Sequence, residues 1–313
     1  KITKDRLERF EQAVKKYRSD RLGEKAFRKQ RLPLGVYYQK PETSWMVRIP
    51  LRGGRITGEN IRYLAGKARR YEGRVHLTTR QNIQLHCVPL NEVPKLLWEL
   101  YERGIITYGA SGDGIRSIKL PALNGVREGT KELYSLLWKL EDYFLRHPLN
   151  MKLPRKFKIT VTDSASEQVN LRGEDLGIQF IHEDISNGER WYRVYAGGGL
   201  GAIPQRSCQL VDEVEESDLP VLVESVVRFF HVRGNRDNRN RARLKFLLSE
   251  LGEETFKQRI LEKYDELGKE NGDEIREQFN QGRKVPAPLT RIPPCLGRNL
   301  ATHPQSEEGT IIP

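Results

Sequence analysis

Short apolar segments alternate with amphipathic helical segments between residues 45 and 109, and this alternation constrains the possible folds most. Trp45, Val47 and Ile49 recur at every second position, which is the period of a half-buried strand. The sequence next predicts a helix after Thr57, followed by strands at 75–79 and Ile83–Val88. A second helix is predicted after 91 and a further strand at 105–108. This order predicts an α+β, ferredoxin-like half.

A second set of strands and helices follows a glycine-rich loop at 109–114. An apolar helical face begins after 130, strands are predicted at 156–162, 177–182 and 191–196, and further helices follow Asp218. Upstream of both regions, residues 1–29 have a helical period but few apolar positions. We therefore expect two domains and an N-terminal helical arm that packs on another surface.

The charge balance predicts an anionic partner. Lys and Arg total 54 against 42 Asp and Glu, which gives a net charge of +12. Nucleic acid, a membrane surface or a polyanionic ligand would each suit this excess, and a merely solvated charged surface is the alternative. No stretch approaches the roughly 18 apolar residues of a membrane span, and the first residues lack the apolar core of a signal peptide. We expect neither an integral membrane protein nor a secreted one.

The cysteine count limits redox chemistry. Only Cys87, Cys208 and Cys295 occur, and they lie far apart in the sequence. An odd number without paired spacing argues against a disulfide framework and favours a reducing, cytoplasmic compartment. Three cysteines also cannot supply the four thiolates of an ordinary iron–sulfur cluster.

Lys156 and Lys158 form the most specific candidate site. They are two positions apart in a predicted strand and therefore project from the same face. Adjacent ammonium groups repel each other, and the flanking residues are apolar, so this pair indicates a bound anion. Arg48 lies in the first predicted strand and Arg116 follows the glycine-rich loop. Each single cation could also be an ordinary surface residue.

Two further segments are weaker signals. Three consecutive glycines at 197–199 follow a predicted strand, where backbone N–H groups could approach an anion, although a tight turn explains them better when they are taken alone. Residues 233–245 (RGNRDNRNRARLK) would suit nucleic acid by charge. They contain no aromatic residues for base stacking, so a basic nucleic-acid-binding protein is the competing interpretation rather than the favoured one.

Four motifs, in this order and spacing, resemble the N-terminal half of siroheme-dependent sulfite and nitrite reductases. They are LTTRQNIQLH at 77–86, LPRKFK at 153–158, GGGL at 197–200 and GNRDNRNRARLK at 234–245. The resemblance implies the following division: a helical arm at 1–30, a ferredoxin-like half-domain at 31–110, a larger α+β siroheme-binding domain at 111–265, a linker at 266–296 and the start of a second ferredoxin-like half at 297–313.

The resemblance also implies roles for individual residues. Arg48, Arg116, Lys156 and Lys158 would surround the substrate anion. The residues expected to contact siroheme are Arg80, Gln84, His86, Gly197, Gly198, Gly199, Asn235 and Arg236. Siroheme carries many carboxylates, which would explain scattered cations. The family's [4Fe-4S] cluster is bound by cysteines of the second half, and nothing in this sequence matches them.

The implied reaction is the six-electron reduction of sulfite to sulfide, with nitrite reduction to ammonia as the alternative. Lys158 favours sulfite, because relatives specialised for nitrite often have Asn at this position and the sulfite dianion carries more charge. The expected partners are the anion, an electron donor (ferredoxin or a flavoprotein) and a second polypeptide or missing C-terminal half, without which the chain should be inactive; no membrane or nucleic acid is expected. A catalytically silent scaffold descended from such an enzyme is a third possibility.

Overall fold

Two four-stranded sheets, each with its own hydrophobic core, organise the computed structural model, which describes residues 2–40, 44–125, 131–164 and 168–281. The first part contains α1 (Ile2–Arg18), α2 (Glu24–Arg31), β1 (Val36–Gln39), β2 (Ser44–Ile49), α3 (Gly58–Arg70), β3 (Val75–Leu77), β4 (Ile83–Val88) and α4 (Val93–Glu102). The second part contains α5 (Tyr134–Arg146), β5 (Ile159–Thr162), α6 (Gln168–Arg172), β6 (Leu176–Glu183), β7 (Arg190–Ala196), β8 (Cys208–Glu215), α7 (Leu219–Arg233), α8 (Leu244–Leu251) and α9 (Glu253–Asn280). Among the described helices, none has both the length and the apolar composition that a membrane span needs.

The first sheet is antiparallel throughout, in the order β1-β2-β4-β3. Its apolar positions alternate as predicted: Val47, Ile49 and Leu85 are fully buried in the first core. Arg48 and Gln84 are register partners on the opposite face of β2 and β4. The sheet thus presents a polar face outward from its core, and two candidate site residues lie side by side on that face.

The strand predicted at 105–108 is wrong. These residues follow the end of α4 without regular structure, and the Ile105 N–H donates to the Leu100 carbonyl at 2.9 Å. Ile105 and Ile106 instead pack against the first core as partly buried side chains. Their apolar character therefore reflects packing from a loop rather than pairing with a strand.

The N-terminal helices are built into the first core. Leu7 and Phe10 of α1 and Phe27 of α2 are buried there. The Phe27 ring stacks on Tyr17 with a centroid distance of 4.2 Å and meets the edge of Trp45 in β2 at 5.7 Å. A few apolar residues are sufficient to attach these helices because the buried ones pack in the first core.

The second sheet has the order β5-β6-β7-β8, with β5 and β6 parallel and the other pairs antiparallel. Residues of α5, α7, α8 and α9 complete its core. The linker predicted from 266 is wrong in its first part, because α9 continues to Asn280 and buries Leu267, Ile275 and Phe279 in this core. The high charge of this segment lies on the exposed face of an amphipathic helix. The rest of that linker and the half predicted at 297–313 lie outside the described residues.

Replacing Phe27 by alanine should test the role of the N-terminal helices. Phe27 has no exposed surface, so Phe27→Ala should lower the free energy of unfolding by about 3–5 kcal/mol through lost burial and a cavity. Urea unfolding followed by circular dichroism measures this. The exposed neighbour Arg28 provides the control, and Arg28→Ala should change stability by less than about 0.5 kcal/mol. Equal, small effects of both substitutions would show that α2 does not contribute to the core.

Candidate functional site

Lys156 and Lys158 lie immediately before β5 and flank Phe157, which is fully buried. Phe157 forms a parallel bridge with Ile115, so the backbone here is extended. Successive side chains of an extended segment point to opposite faces. The two lysines therefore share the face opposite the second core, as the sequence predicts.

The Lys156 ammonium lacks a counter-charge. It forms no hydrogen bond or ion pair with any residue that the structure describes. Burial, together with the nearby cations Arg243, Lys158, Arg116 and Arg155, lowers the pKa of Lys156 to about 8. A half-buried cation among other cations is costly unless an anion joins them. This lysine is therefore poised to bind an anion.

Lys158 differs from Lys156 in having carboxylates among its charged neighbours, of which Glu174 acts most strongly. Burial lowers the pKa of Lys158, whereas Glu174 acts in the opposite direction. The Lys158 Nζ lies 3.6 Å from the Glu174 Oε2, which is too long for a hydrogen bond. The Lys158 ammonium group thus lies near the Glu174 carboxylate, but its N–H groups remain available as hydrogen-bond donors.

Arg116 and Arg48 extend the group of cations. The Arg116 guanidinium donates to the carbonyls of Ala110 at 2.6 Å and Gly112 at 2.7 Å. Burial lowers the pKa of Arg116 to about 10, with Tyr37 raising it and Arg48 lowering it. The Arg48 Nε is buried without a hydrogen-bond partner. We call Arg48, Arg116, Lys156 and Lys158 the cation cluster, because electrostatic neighbours connect all four.

Arg80 lies between the two parts of the chain. Its guanidinium donates to the Ser117 carbonyl from Nε and Nη2, to the Ile159 carbonyl from Nη2 and to Glu174 Oε1 from Nη1 at 2.9 Å. Arg80 therefore fastens the turn after β3 to the second sheet. Its contact with siroheme stays a prediction, and most of its donors are occupied in this structure.

Gln84 and His86 project from β4 on the face that also carries Arg48. Gln84 is the register partner of Arg48 in β2 and of His76 in β3. The His86 Nδ1 lies 2.8 Å from the Gln39 Nε2, so the imidazole accepts from the amide when it is the Nε2–H tautomer. The structure thus places Gln84 beside Arg48, and His86 two positions further along β4 in contact with Gln39.

The three glycines at 197–199 are used for close packing. The Gly197 N–H donates to the Asp175 carbonyl at 2.9 Å and the Gly199 N–H to Gln205. A Cβ at Gly198 would lie 2.3 Å from the Arg172 carbonyl oxygen and 2.6 Å from that of Glu174. The N–H groups of Gly197 and Gly199 therefore donate to protein carbonyls rather than being available to an anion. The absence of a side chain at Gly198 lets the backbone at Arg172 and Glu174 approach closely.

Asn235 and Arg236 lie in an exposed turn. The Asn235 Oδ1 accepts from the N–H groups of Asp237 and Asn238 at 2.9 and 2.7 Å. The Arg236 Nη2 donates to the carbonyls of Lys152 and His231 at 3.1 and 2.8 Å. These contacts attach the turn to the segment that carries the cation cluster, and no described contact joins either side chain directly to that cluster.

Three other cations of the segment at 233–245, namely Arg239, Arg243 and Lys245, are bound within the protein. The Arg243 guanidinium binds both oxygens of Asp175, and Arg239 binds both oxygens of Asp113. The Lys245 ammonium donates to the carbonyls of Leu200 and Ile203. A nucleic-acid interface needs cations that are available to phosphates, so this pairing disfavours that interpretation.

The sequence reasoning missed Glu174 and Asp175, which lie between α6 and β6. The Glu174 side chain is 6% exposed and that of Asp175 has no exposed surface. Glu174 faces Arg80, Lys119 and Lys158, which all belong to other parts of the chain. Two adjacent acidic residues before a strand give no recognisable signal, and only the tertiary structure shows what they contact.

Comparisons with known proteins identify the family of this chain. The family model "Nitrite and sulphite reductase 4Fe-4S domain" matches residues 111–267, about half of the chain, and "Nitrite/Sulfite reductase ferredoxin-like half domain" matches residues 38–103. The chain belongs to the nitrite and sulfite reductase family. The predicted family and the predicted α+β fold class are both confirmed.

Relatives of both specificities resemble this family member. The assimilatory ferredoxin-dependent nitrite reductase of Haloferax mediterranei is 30% identical over 276 residues, which cover 80% of this chain and 46% of the relative. The sulfite reductase [NADPH] hemoprotein beta-component of Chromohalobacter salexigens is 28% identical over 261 residues, covering 71% and 44%. The structure of Mycobacterium tuberculosis NirA matches with a TM-score of 0.64 at 22% identity, over 87% of this chain and 50% of that one. The chain spans about half the length of the curated relatives it matches.

The family uses siroheme and a [4Fe-4S] cluster. The cation cluster fits a carboxylate-rich macrocycle and its bound anion, because the Arg48 Nε is buried without a partner and the Lys156 and Lys158 ammonium groups form no hydrogen bond to any described residue. The iron–sulfur cluster has no such fit here: within the described ranges, no group of three or more His, Cys, Asp or Glu could hold a metal ion. Cys295 lies outside those ranges.

A cleft of about 380 Å³ lies beside the cation cluster, between the turn at Arg52–Gly54 and α5, and Arg116 is among its lining residues. The Arg52 guanidinium stacks over Trp138 at 4.0 Å. Glu141 closes one wall and accepts from the Ile118 N–H at 2.7 Å. Burial raises the pKa of Glu141 to about 7, although Arg52 lowers it. This carboxyl therefore gains its charge only near neutral pH.

Glu141 should make the stability of the fold depend on pH. Its pKa is about 7 in the folded chain against 4.5 ordinarily, so between these values the folded state holds a proton that the unfolded state has lost. Stability then falls as pH rises through this window. Glu141→Gln keeps the acceptor for Ile118 and should remove this loss, which is about 3 kcal/mol. Urea unfolding from pH 4.5 to 8 measures it, with the exposed Glu270→Gln as control. Parallel curves for wild type and Glu141→Gln would refute the assignment.

Lys156 should make anion binding depend on pH. Its pKa is about 8, so it loses its charge above that pH and sulfate affinity should fall there, by up to about tenfold per pH unit when one proton is required. Calorimetric titration of the full chain with sulfate from pH 6.5 to 9.5 tests this. Lys156→Arg stays charged and should give a flat profile. Profiles with the same slope for both proteins would mean that another group is responsible.

Proposed function

We propose that this chain supplies the anion-binding residues, and part of the siroheme-binding surface, of a reductase that converts sulfite to sulfide. The observation that carries the proposal is Lys156, a half-buried cation whose strongest charged neighbours are all cations. An anion bound there would offset the mutual repulsion of the cations, and this relief would contribute to the free energy of anion binding.

Each member of the cation cluster has a distinct place in this proposal. Arg116 is held by two carbonyls and presents a fixed positive charge. Arg48 lies beside Gln84, where it can bind either the substrate anion or a carboxylate of siroheme. Lys156 and Lys158 offer free ammonium N–H groups to the oxygens of the anion.

The proposed chemistry also uses the low pKa of Lys156. A group with a pKa of about 8 can release a proton near neutral pH, which suits a donor to oxygens that leave as water. When bound, siroheme would supply an iron for the anion and a path for the electrons. We propose that Arg80, Gln84, His86, Gly197, Gly198, Gly199, Asn235 and Arg236 line or support that macrocycle.

Sulfite is preferred over nitrite because of Lys158. A dianion gains about twice the Coulomb energy of a monoanion from an additional nearby cation. Nitrite is the second candidate, favoured by relatives of this chain that are named ferredoxin–nitrite reductases, such as that of Leptolyngbya laminosa at 26% identity over 239 residues. The electron donor we propose is ferredoxin or a flavoprotein, since relatives are named for ferredoxin and for NADPH. Their greater length supports the further proposal that reduction needs a second half.

Lys158→Asn should separate the two substrates. The substitution keeps a hydrogen-bond donor and removes one charge. The activation free energy for sulfite turnover should therefore rise by roughly 2–5 kcal/mol, the cost of removing one partner of a buried charge pair. Nitrite turnover should fall much less. Steady-state kinetics with both anions, on the siroheme-loaded enzyme that contains this chain, measures the difference. The exposed Lys152→Asn is the matched control and should leave both rates unchanged.

Equal losses for the two anions in Lys158→Asn would remove the main support for sulfite. The visible absorption spectrum separates the other classes. A siroheme enzyme is coloured, whereas a nucleic-acid-binding protein or a silent scaffold would fold without binding siroheme.

A further inference from the structure

Glu174 and Asp175 place two carboxylates side by side under the cation cluster, almost closed to solvent. Buried charges of the same sign repel each other, so each needs compensation from cations and hydrogen bonds. The two residues are compensated differently. This difference is the basis of the inference.

Asp175 is fully occupied by the protein. The Arg243 guanidinium donates to its Oδ1 at 3.0 Å and its Oδ2 at 2.7 Å, and the Lys158 backbone N–H donates to Oδ2 at 2.9 Å. These bonds fix the backbone of Lys158 relative to β6. Asp175 thus has a structural role, and the Arg243 guanidinium bound to both of its oxygens balances its charge.

Glu174 is occupied on one side only. Its Oε1 accepts from the Arg80 Nη1 at 2.9 Å and lies 3.1 Å from the Lys119 Nζ. Its Oε2 is buried without any hydrogen-bond partner and faces the Lys158 Nζ at 3.6 Å. Burial acts to raise the pKa of Glu174, but Arg80, Lys158 and Lys119 hold it below its ordinary value. The carboxylate is therefore ionised at neutral pH, with one oxygen directed at the cluster.

We propose that Glu174 is the specificity-determining counter-charge of the anion site: its unpaired Oε2 holds Lys158 in place and weakens the preference of the cluster for dianions over monoanions. This inference rests on the proposed function, namely that the cation cluster binds the substrate anion. Among the residues that the structure describes, no carboxylate forms an ion pair with Lys156, so the positive charge of Lys156 is not offset in this way.

The charge of the ligand determines the size of the effect. Repulsion between Glu174 and a bound anion is proportional to the charge of that anion. Removing the Glu174 charge should therefore lower the dissociation constant of a monoanion by some factor. It should lower the dissociation constant of a dianion by about the square of that factor. A site with Glu174 intact can bind a dianion without excluding monoanions, which is consistent with a family that contains both sulfite and nitrite reductases.

Calorimetric titrations of the full chain with sulfate and with nitrate test this inference at pH 7. For Glu174→Gln, we expect the dissociation constant of nitrate to fall about threefold and that of sulfate about tenfold. The exposed carboxylate Glu213 supplies the control, and Glu213→Gln should leave both constants unchanged. An unchanged ratio of the sulfate and nitrate constants in Glu174→Gln would overturn the inference.

Glu174→Asp keeps the test decisive if Glu174→Gln does not fold, which circular dichroism would show. Aspartate retains the charge that Arg80 and Lys119 require but draws the carboxylate one methylene away from Lys158. The sulfate-to-nitrate ratio should then change in the same direction by a smaller factor, and an unchanged ratio would overturn the inference. If the wild-type chain binds neither anion, the proposed function fails. If it binds both and neither substitution changes the ratio, only the role of Glu174 fails.

Discussion

Buried ion pairs around Glu174 and Asp175 fix the arrangement on which the rest of the site depends. Through Arg80, Glu174 connects the turn after β3 to the second sheet, and through Arg243, Asp175 fixes the segment after α7. Removing one partner of such a pair leaves an uncompensated buried charge, which costs about 3–5 kcal/mol. The two parts of the chain are therefore held in register by charge as well as by packing, with the cation cluster at their junction.

The cluster remains positive because its carboxylates are unequally distributed. Arg243 uses Asp175 completely and Lys158 shares Glu174 with Arg80 and Lys119, whereas Lys156 is left among cations. An internal pairing of every cation would have given a stable but inert junction. The unequal distribution leaves the ammonium groups of Lys156 and Lys158 without a hydrogen bond to any described residue, and in the proposed function these groups bind the anion and donate protons to it.

Some residues of the family motifs have contacts within the protein that the sequence did not indicate. Gly197, Gly198 and Gly199 occur in a family motif, and the structure shows Gly198 against the Arg172 and Glu174 carbonyls, so their small size lets the acidic pair approach β7. Arg80 lies in LTTRQNIQLH, where a carboxylate partner was predicted, and the carboxylate it binds in this structure is Glu174. Motif residues can thus support a site from behind its surface.

The sequence alone determined the alternation of strands and helices, the shared face of Lys156 and Lys158, and the family, because period and motif order are local properties of the chain. It could not reveal that residues 266–280 are helical and packed, since Leu267, Ile275 and Phe279 are too sparse to stand out among charges. Nor could it select Glu174 from the 42 acidic residues of the chain. Only the tertiary structure brings Arg80, Lys119 and Lys158 from distant positions to one buried carboxylate, and electrostatic energy depends on those distances through space rather than along the sequence.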